Sequence, residues 1–362
     1  MGTDFAAFCR SRPIVSAALH NRLMRNHRRF RMAEGAELVG RQGNSVEMQV
    51  SIPLDDEGFL GRQCPECSLL FRMNAEDYKA LPDDLTLWCV YCGHHAEHSE
   101  FLTAQQRERL LRAVGDLGMQ MVSQSLNRAF RGLSRGSSGC SVSITYESRP
   151  FYPRPLPGIS EEPLTRIRTC PGCHIEYAVF GEHRYCPVCG RLPAESVAFD
   201  ALEAEKARLE ALEALPGETK ALLREQGGFT RNWVDTMENL VGVVEALASS
   251  LFRAAVPNAD DLLRGKGNVF QRLDDTADLF VAAGYADLRI SLGPDTWQRL
   301  TETWATRHLF THNDGVVDQK YLTRVPTSTA RLGQRLVVTD DMCRRALDDT
   351  KALCEALVAL SP

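Results

Sequence analysis

The sequence predicts an α+β multidomain chain: two small four-cysteine modules with short strands and an intervening helix, then an all-α helical bundle. Three observations predict it. Eight cysteines fall into four Cys-x-x-Cys pairs, all before residue 190. A stretch around residues 45–52 alternates apolar and polar side chains as a half-buried strand does. From Ser196 onward, apolar residues recur instead at helical spacing, with no further cysteine pairs. The expected divisions are a basic helical arm (1–35), a first cysteine module plus a long helix (36–140), a second module (141–196) and a helical domain (197–362).

The arm comes first. Seven arginines and no acid lie between Arg10 and Arg31, interleaved with Leu23, Met24 and Phe30. That pattern is a solvated amphipathic helix face or a nucleic-acid-binding arm, since guanidinium pairs with phosphate. The alternating segment, including Val46-Glu47-Met48-Gln49-Val50, is the expected first strand. After the first cysteine group, Thr103 opens a long helix with Leu110, Leu111, Val114, Leu117, Met121 and Leu126 toward one face. Gly132 to Gly139 breaks it, Ser141–Tyr146 is a short strand, and the proline-rich 150–157 segment is a semi-rigid spacer.

The two cysteine groups share one grammar. The first is Cys64-Pro-Glu-Cys67 followed, after 21 residues, by Cys89-Val-Tyr-Cys92-Gly93. The second is Cys170-Pro-Gly-Cys173 followed, after 12 residues, by Cys186-Pro-Val-Cys189-Gly190. Two thiolates two residues apart can grip one ion from a tight turn, and two such turns complete a tetrahedron. The trailing glycine permits the positive φ that such a turn adopts. Four sulfurs leave no open coordination position, which points to a structural Zn2+ in each group, two ions per chain. An iron centre is the rival metal. His94, His95, His98 and His174 lie close by in sequence as substitute ligands, and Arg72, Lys79, Arg184 and Arg191 are candidate partner contacts.

In the helical half, a Glu/Ala-rich helix carrying Leu202, Leu209 and Leu212 stops at Pro216-Gly217. A second runs from a cap at Thr230 to Pro257 with Trp233, Met237, Leu240, Val241, Val244, Leu247 and Leu251 as its stripe. A third covers 259–283, a fourth starts at Asp295 and a fifth at Thr339. Cys343, Ala346, Leu347, Leu353, Cys354 and Leu357 form the inward stripe of the last, so Cys343 and Cys354 are core thiols.

The Asp295 helix also carries polar chemistry. Trp297, Leu300 and Trp304 define its buried stripe, and Arg307 falls on it. A charge there needs a buried acid, such as Glu238 or Asp278, or a wet cleft. His308 and His312 follow, and Asn313-Asp314-Gly315 ends the helix.

Two family resemblances rest on these residues. The cysteine spacing resembles that of zinc ribbons. Arg307-x4-His312 at a helix end within an all-helical domain resembles the Arg-x(4–6)-His signature of the HEPN superfamily, over roughly residues 197–362. The bare pattern also occurs at Arg22–His27 and Arg168–His174; helix-end context selects Arg307. In those terms the predicted fold is two four-cysteine zinc ribbons followed by a HEPN-like bundle. The resemblance implies a metal-independent endoribonuclease with Arg307, His308 and His312 as catalytic groups, a homodimer formed through the helical domain, and a role as toxin or anti-phage effector. The ribbons would then recognise the RNA target or a protein partner or inhibitor. The alternatives are a non-catalytic zinc-ribbon adaptor that binds RNA or nucleotide, and a DNA-binding zinc protein.

A net charge of -5 argues against a protein coated in basic charge for duplex DNA. No apolar run approaches the roughly 20 residues that span a bilayer, so no membrane partner is expected. Met1–Ala7 contains Asp4 and no apolar core, unlike a secretory signal. The expected compartment is therefore the reducing cytoplasm, where paired cysteines bind metal more often than they oxidise.

Overall fold

A computed structural model describes residues 4–7, 30–42, 45–82, 84–135, 151–160 and 166–360. Most of the arginine-rich arm and the expected Ser141–Tyr146 strand lie outside them. The chain divides into two compact units, Met1–Arg191 and Leu192–Pro362. Among the described residues no helix is long and apolar enough to cross a membrane.

The first unit opens with β1 (Asp4–Ala7), β2 (Ala36–Gln42) and β3 (Ser45–Pro53), an antiparallel sheet in the order β1-β3-β2. The alternating 45–52 segment is its central strand. Next come β4 (Phe59–Gln63), β5 (Leu70–Asn74), the short helix α1 (Ala75–Lys79), β6 (Thr86–Trp88) and β7 (His95–Glu97). The long helix α2 (Ala104–Arg135) follows, and then β8 (Arg166–Thr169), β9 (Glu176–Val179), β10 (Tyr185–Cys186) and β11 (Gly190–Arg191). The two cysteine modules do not form separate sheets. Strands β5 and β9 pair antiparallel, Arg72 opposite Ala178 and Met73 opposite Tyr177, giving one four-stranded sheet in the order β4-β5-β9-β8. The expected boundary near residue 140 therefore does not divide this unit.

Helix α2 starts where the sequence places it. The Thr103 hydroxyl accepts from the Gln106 N–H and the Gln106 side chain accepts from the Thr103 N–H, a reciprocal capping box. Its buried face is not the expected one. Leu111, Val114, Met121 and Leu126 are exposed, whereas Gln106, Arg109, Asp116 and Gln120 are buried beside Ala113 and Leu117. Each buried polar group binds a distant stretch of chain. Gln106 donates to the Gly61 carbonyl, and Arg109 to the carbonyls of Ser51 and Pro157. Asp116 accepts from Arg154, and Gln120 exchanges two bonds with the Arg31 backbone. The proline-rich segment, expected as a semi-rigid spacer, is thus strapped along α2. Helical spacing alone could not show this, because the partners lie 38 to 89 residues away. The helix also runs through Gly132 to Arg135 instead of breaking at Gly132.

The second unit contains α3 (Ala194–Ala214), α4 (Gly217–Glu225), α5 (Gly228–Ala255), α6 (Ala259–Leu263), α7 (Leu273–Ala282), α8 (Leu288–Leu292), α9 (Pro294–Asn313), α10 (Gln319–Arg324) and α11 (Asp340–Ala359). Helices α3, α5 and α11 pack on one another around Leu209, Leu240, Val244, Leu247, Leu353 and Cys354. The expected stripes of α5 and α11 are the buried ones. Cys343 and Cys354 are fully buried, and burial pushes both thiols up to about 12, so they stay protonated in the core. Two boundaries differ from expectation. Helix α5 starts at Gly228 after Gly227, whose φ of +70° ends α4, so Thr230 is not the cap. The expected 259–283 helix is broken, because Gly265 and Gly267 adopt φ of +77° and +58°.

Candidate functional site

Each four-cysteine group is assembled from two knuckles. In the first group the Ser68 N–H bonds to the Cys64 carbonyl at 2.9 Å and the Gly93 N–H to the Cys89 carbonyl at 3.1 Å. In the second, the His174 N–H bonds to the Cys170 carbonyl at 2.9 Å. The residue after the second cysteine has positive φ in all four knuckles: Ser68 +61°, Gly93 +76°, His174 +62° and Gly190 +84°. The glycine signal marks only two of these turns. Ser68 and His174 bear a Cβ that disfavours this region, and the backbone bonds of the turn hold them there.

These turns bring the eight sulfurs into two tight groups, Cys64, Cys67, Cys89, Cys92 and Cys170, Cys173, Cys186, Cys189, with all ligand atoms of a group within 4.8 Å of one another. Sγ–Sγ separations are 3.7 Å for Cys64–Cys92 and 3.6 Å for Cys67–Cys89. In the second group they are 3.4 Å for Cys170–Cys189 and 3.6 Å for Cys173–Cys186. A disulfide would need about 2.05 Å. A tetrahedron of zinc–sulfur bonds near 2.3 Å has edges of about 3.8 Å, and the observed spacing is close to that. Both groups can hold a metal ion, and four sulfurs would fill a tetrahedral set.

Electrostatics agrees with that reading. Burial pushes the Cys89 and Cys186 thiols far up, and burial together with the neighbouring sulfurs of Cys173 and Cys170 takes Cys189 up to about 12. Burial also raises Cys170, but the Cys173 and Gly172 N–H groups and the adjoining thiols outweigh it and hold Cys170 at about 7. Four clustered thiolates repel one another, so complete deprotonation needs a bound cation.

The nearby histidines take no part in either group. His95 stacks on Trp88 at 4.1 Å and bonds to the Thr86 hydroxyl, and His98 bonds to the Tyr78 hydroxyl. Arg72, expected as a surface contact, is buried and paired with Asp55. Lys79 pairs with Glu76, while Arg184 and Arg191 are exposed.

In the second unit, α9 runs unbroken from Pro294 to Asn313 and ends at Asp314, whose φ is +48°. The structure gathers part of the arginine–histidine set. The His308 and His312 rings lie 4.7 Å apart, and the Lys320 ammonium of α10 is 3.3 Å from His308 Nε2. Burial comes first in lowering the His308 pKa below the ordinary value, followed by the positive charges of Lys320, His312 and Arg324, with Asp318 opposing. Both effects favour the neutral form of His308.

Arg307 is half-buried, and its Nε is buried without a hydrogen-bond partner. Neither expected acid pairs with it: Glu238 accepts from the Thr311 hydroxyl, and Asp278 pairs with Arg289. At 3.6 residues per turn, side chains five apart diverge by about 140° on a continuous helix. Arg307 and exposed His312 therefore do not converge within one chain.

No family model, curated protein or solved structure matches this chain. Three residues near these sites escaped the sequence reading: Trp88, Tyr185 and Lys320. For two of them a signal was present, since an aromatic residue immediately precedes both Cys89 and Cys186.

Proposed function

We propose that both four-cysteine groups hold structural zinc and that the helical unit acts on RNA as a metal-independent endonuclease completed by a second copy of the chain. The observation that carries the RNA reading is the half-buried Arg307, whose Nε lacks a partner, adjoining in sequence a His308 that lies near His312 and whose pKa is lowered by burial and neighbouring positive charge. Arginine in such a position favours a phosphate oxyanion as its counter-charge. In this reading a neutral histidine accepts the proton of a ribose 2′-hydroxyl. The 2′-oxygen then bonds to phosphorus as the bond to the 5′-oxygen breaks. A protonated histidine returns a proton to that leaving oxygen, and Arg307 balances the phosphate charge in the transition state.

The geometry of α9 gives the reading its oligomeric condition. Arg307 and His312 point apart, so Arg307 of one copy must work with His312 of another. The ribbons then serve as a platform for the RNA or for a protein that controls the nuclease; toxin or phage-defence activity is the biological setting this implies. The same divergence favours a second reading, a zinc-ribbon adaptor that binds RNA or nucleotide without cutting it.

Cleavage of single-stranded RNA by the zinc-loaded protein, in magnesium-free buffer with EDTA, separates the two. A nuclease loses about 100-fold or more in rate on Arg307→Ala or His312→Ala. Mixing these two inactive variants restores about a quarter of the parent activity if sites form across a two-fold dimer. An adaptor shows RNA binding without cleavage in the parent protein.

A further inference from the structure

The two cysteine modules repeat each other in space, not merely in sequence. In the shared sheet the order β4-β5-β9-β8 reads the same from either end, with β4 matching β8 and β5 matching β9. Cys64 and Cys170 stand at equivalent points, and so do Arg72 and Ala178, eight residues further on, which face each other where β5 meets β9. The pair is thus built about a pseudo-two-fold axis passing between the modules.

The same relation governs the second knuckles. The Trp88 N–H donates to the Pro187 carbonyl at 2.9 Å, and the Tyr185 N–H donates to the Val90 carbonyl at 3.1 Å. Trp88 and Tyr185 each precede the first cysteine of their knuckle; Val90 and Pro187 each follow it. Each knuckle therefore closes against the backbone of the other. The rings repeat the exchange. A Cβ added to Gly93 would sit 2.4 Å from Tyr185 Cζ, and one added to Gly190 would sit 3.0 Å from Trp88 Cε2. So Tyr185 lies on the glycine of the first group and Trp88 on that of the second, with the two rings parallel at 6.1 Å. Tyr91, between Cys89 and Cys92, adds a further tie: its hydroxyl donates to the Leu70 carbonyl and accepts from the Phe180 N–H.

We infer that the two four-cysteine groups are one two-metal unit, in which filling either site raises the affinity of the other. The glycines supply the link. Gly93 and Gly190 must hold positive φ for their knuckles to wrap an ion, and that same backbone forms the seat for the opposing ring. An empty knuckle free to unwind therefore loses the ring packed on it, the reciprocal N–H···O bond and the support of its neighbour. Because linkage is reciprocal, the coupling acts equally in both directions. Couplings carried by packed contacts of this kind change affinity by roughly 5- to 150-fold.

This inference rests on the reading that both groups bind zinc, and the test separates the two. Zinc is titrated against a chromophoric chelator with the full-length chain, monitoring folding by circular dichroism. The intact chain is expected to take up two ions in one cooperative step. Cys170→Ser with Cys173→Ser disables the second group, and the affinity of the first should then drop by at least about 5-fold. A second variant keeps all eight thiols: Trp88→Ala with Tyr185→Ala should leave two ions bound but weaken the coupling between them. Retention of full affinity by the first group in the cysteine variant overturns the coupling, as does cooperativity of parental strength after loss of both rings. Failure of the intact chain to bind zinc at all overturns the zinc reading instead.

Discussion

The cysteine-bearing unit and the helical unit bring their candidate functional groups together to different degrees. In the first, eight thiols converge within 4.8 Å in two groups, and Gln106, Arg109 and Arg72 are tied to carbonyls or carboxylates, while Arg62 Nε and His94 Nε2 are buried without a partner. In the second, core packing is continuous across α3, α5 and α11, yet the Arg307 Nε is left without a partner at the end of α9. A metal site needs ligands at short spacing on turns, and such turns form wherever the sequence writes them. A site drawn from one straight helix cannot converge on itself. One unit is built around its proposed ligands, and the other is built first and offers its groups afterwards.

Metal removal should break this contrast most visibly. Binding energies of structural zinc in small domains reach about 10–16 kcal/mol, and they are folding energy. Stripping both ions is expected to abolish hydrogen-exchange protection in β4–β11 while leaving α5 and α11 protected. Loss of protection in both units together would mean that the helical unit is not independently stable. Next in size is Leu240→Ala in the core of the helical unit, expected to cost about 2–5 kcal/mol in chemical unfolding. The exposed Val122→Ala on α2 should stay within about 0.5 kcal/mol. A large loss from Val122→Ala would show that this face is covered in solution.

Gly93→Ala sharpens the cysteine side. It adds a Cβ against Tyr185 at a residue with positive φ, so its midpoint of thermal unfolding should fall while Gly242→Ala, which meets nothing within 4 Å, leaves it unchanged or raises it. The smallest effect concerns His308. Its folded pKa lies below the unfolded value of about 6.5, so its contribution to stability is present above that pH and is lost as pH falls through the folded value. An NMR titration should place its midpoint below 6.5, and Lys320→Ala should move that midpoint upward; a midpoint above 6.5 contradicts the arrangement seen here.

What the sequence made legible follows the range of the interactions. Cys-x-x-Cys spacing is local, and the four pairs assemble as read. The stripes of α5 and α11 are local too, and Leu240, Val244 and Cys354 are buried as their spacing implies. The face of α2 was misread because Arg109, Asp116 and Gln120 are buried by bonds to remote segments, which periodicity does not encode. The pairing of β5 with β9 joins residues about a hundred positions apart, and no short-range pattern announces it. Arg307 lay legibly on a buried stripe. Whether His312 could reach it depended on the helix continuing past Thr311, which the residue types alone left open.

Metal content tests the central claim most directly, because the proposed role of both cysteine groups depends on it. Native mass spectrometry of the chain, with elemental analysis of the same sample, should give two zinc ions per chain, both lost when Cys64, Cys89, Cys170 and Cys186 are replaced by serine. Fewer than two ions in the parent protein, iron in place of zinc, or zinc retained by that variant would contradict the account.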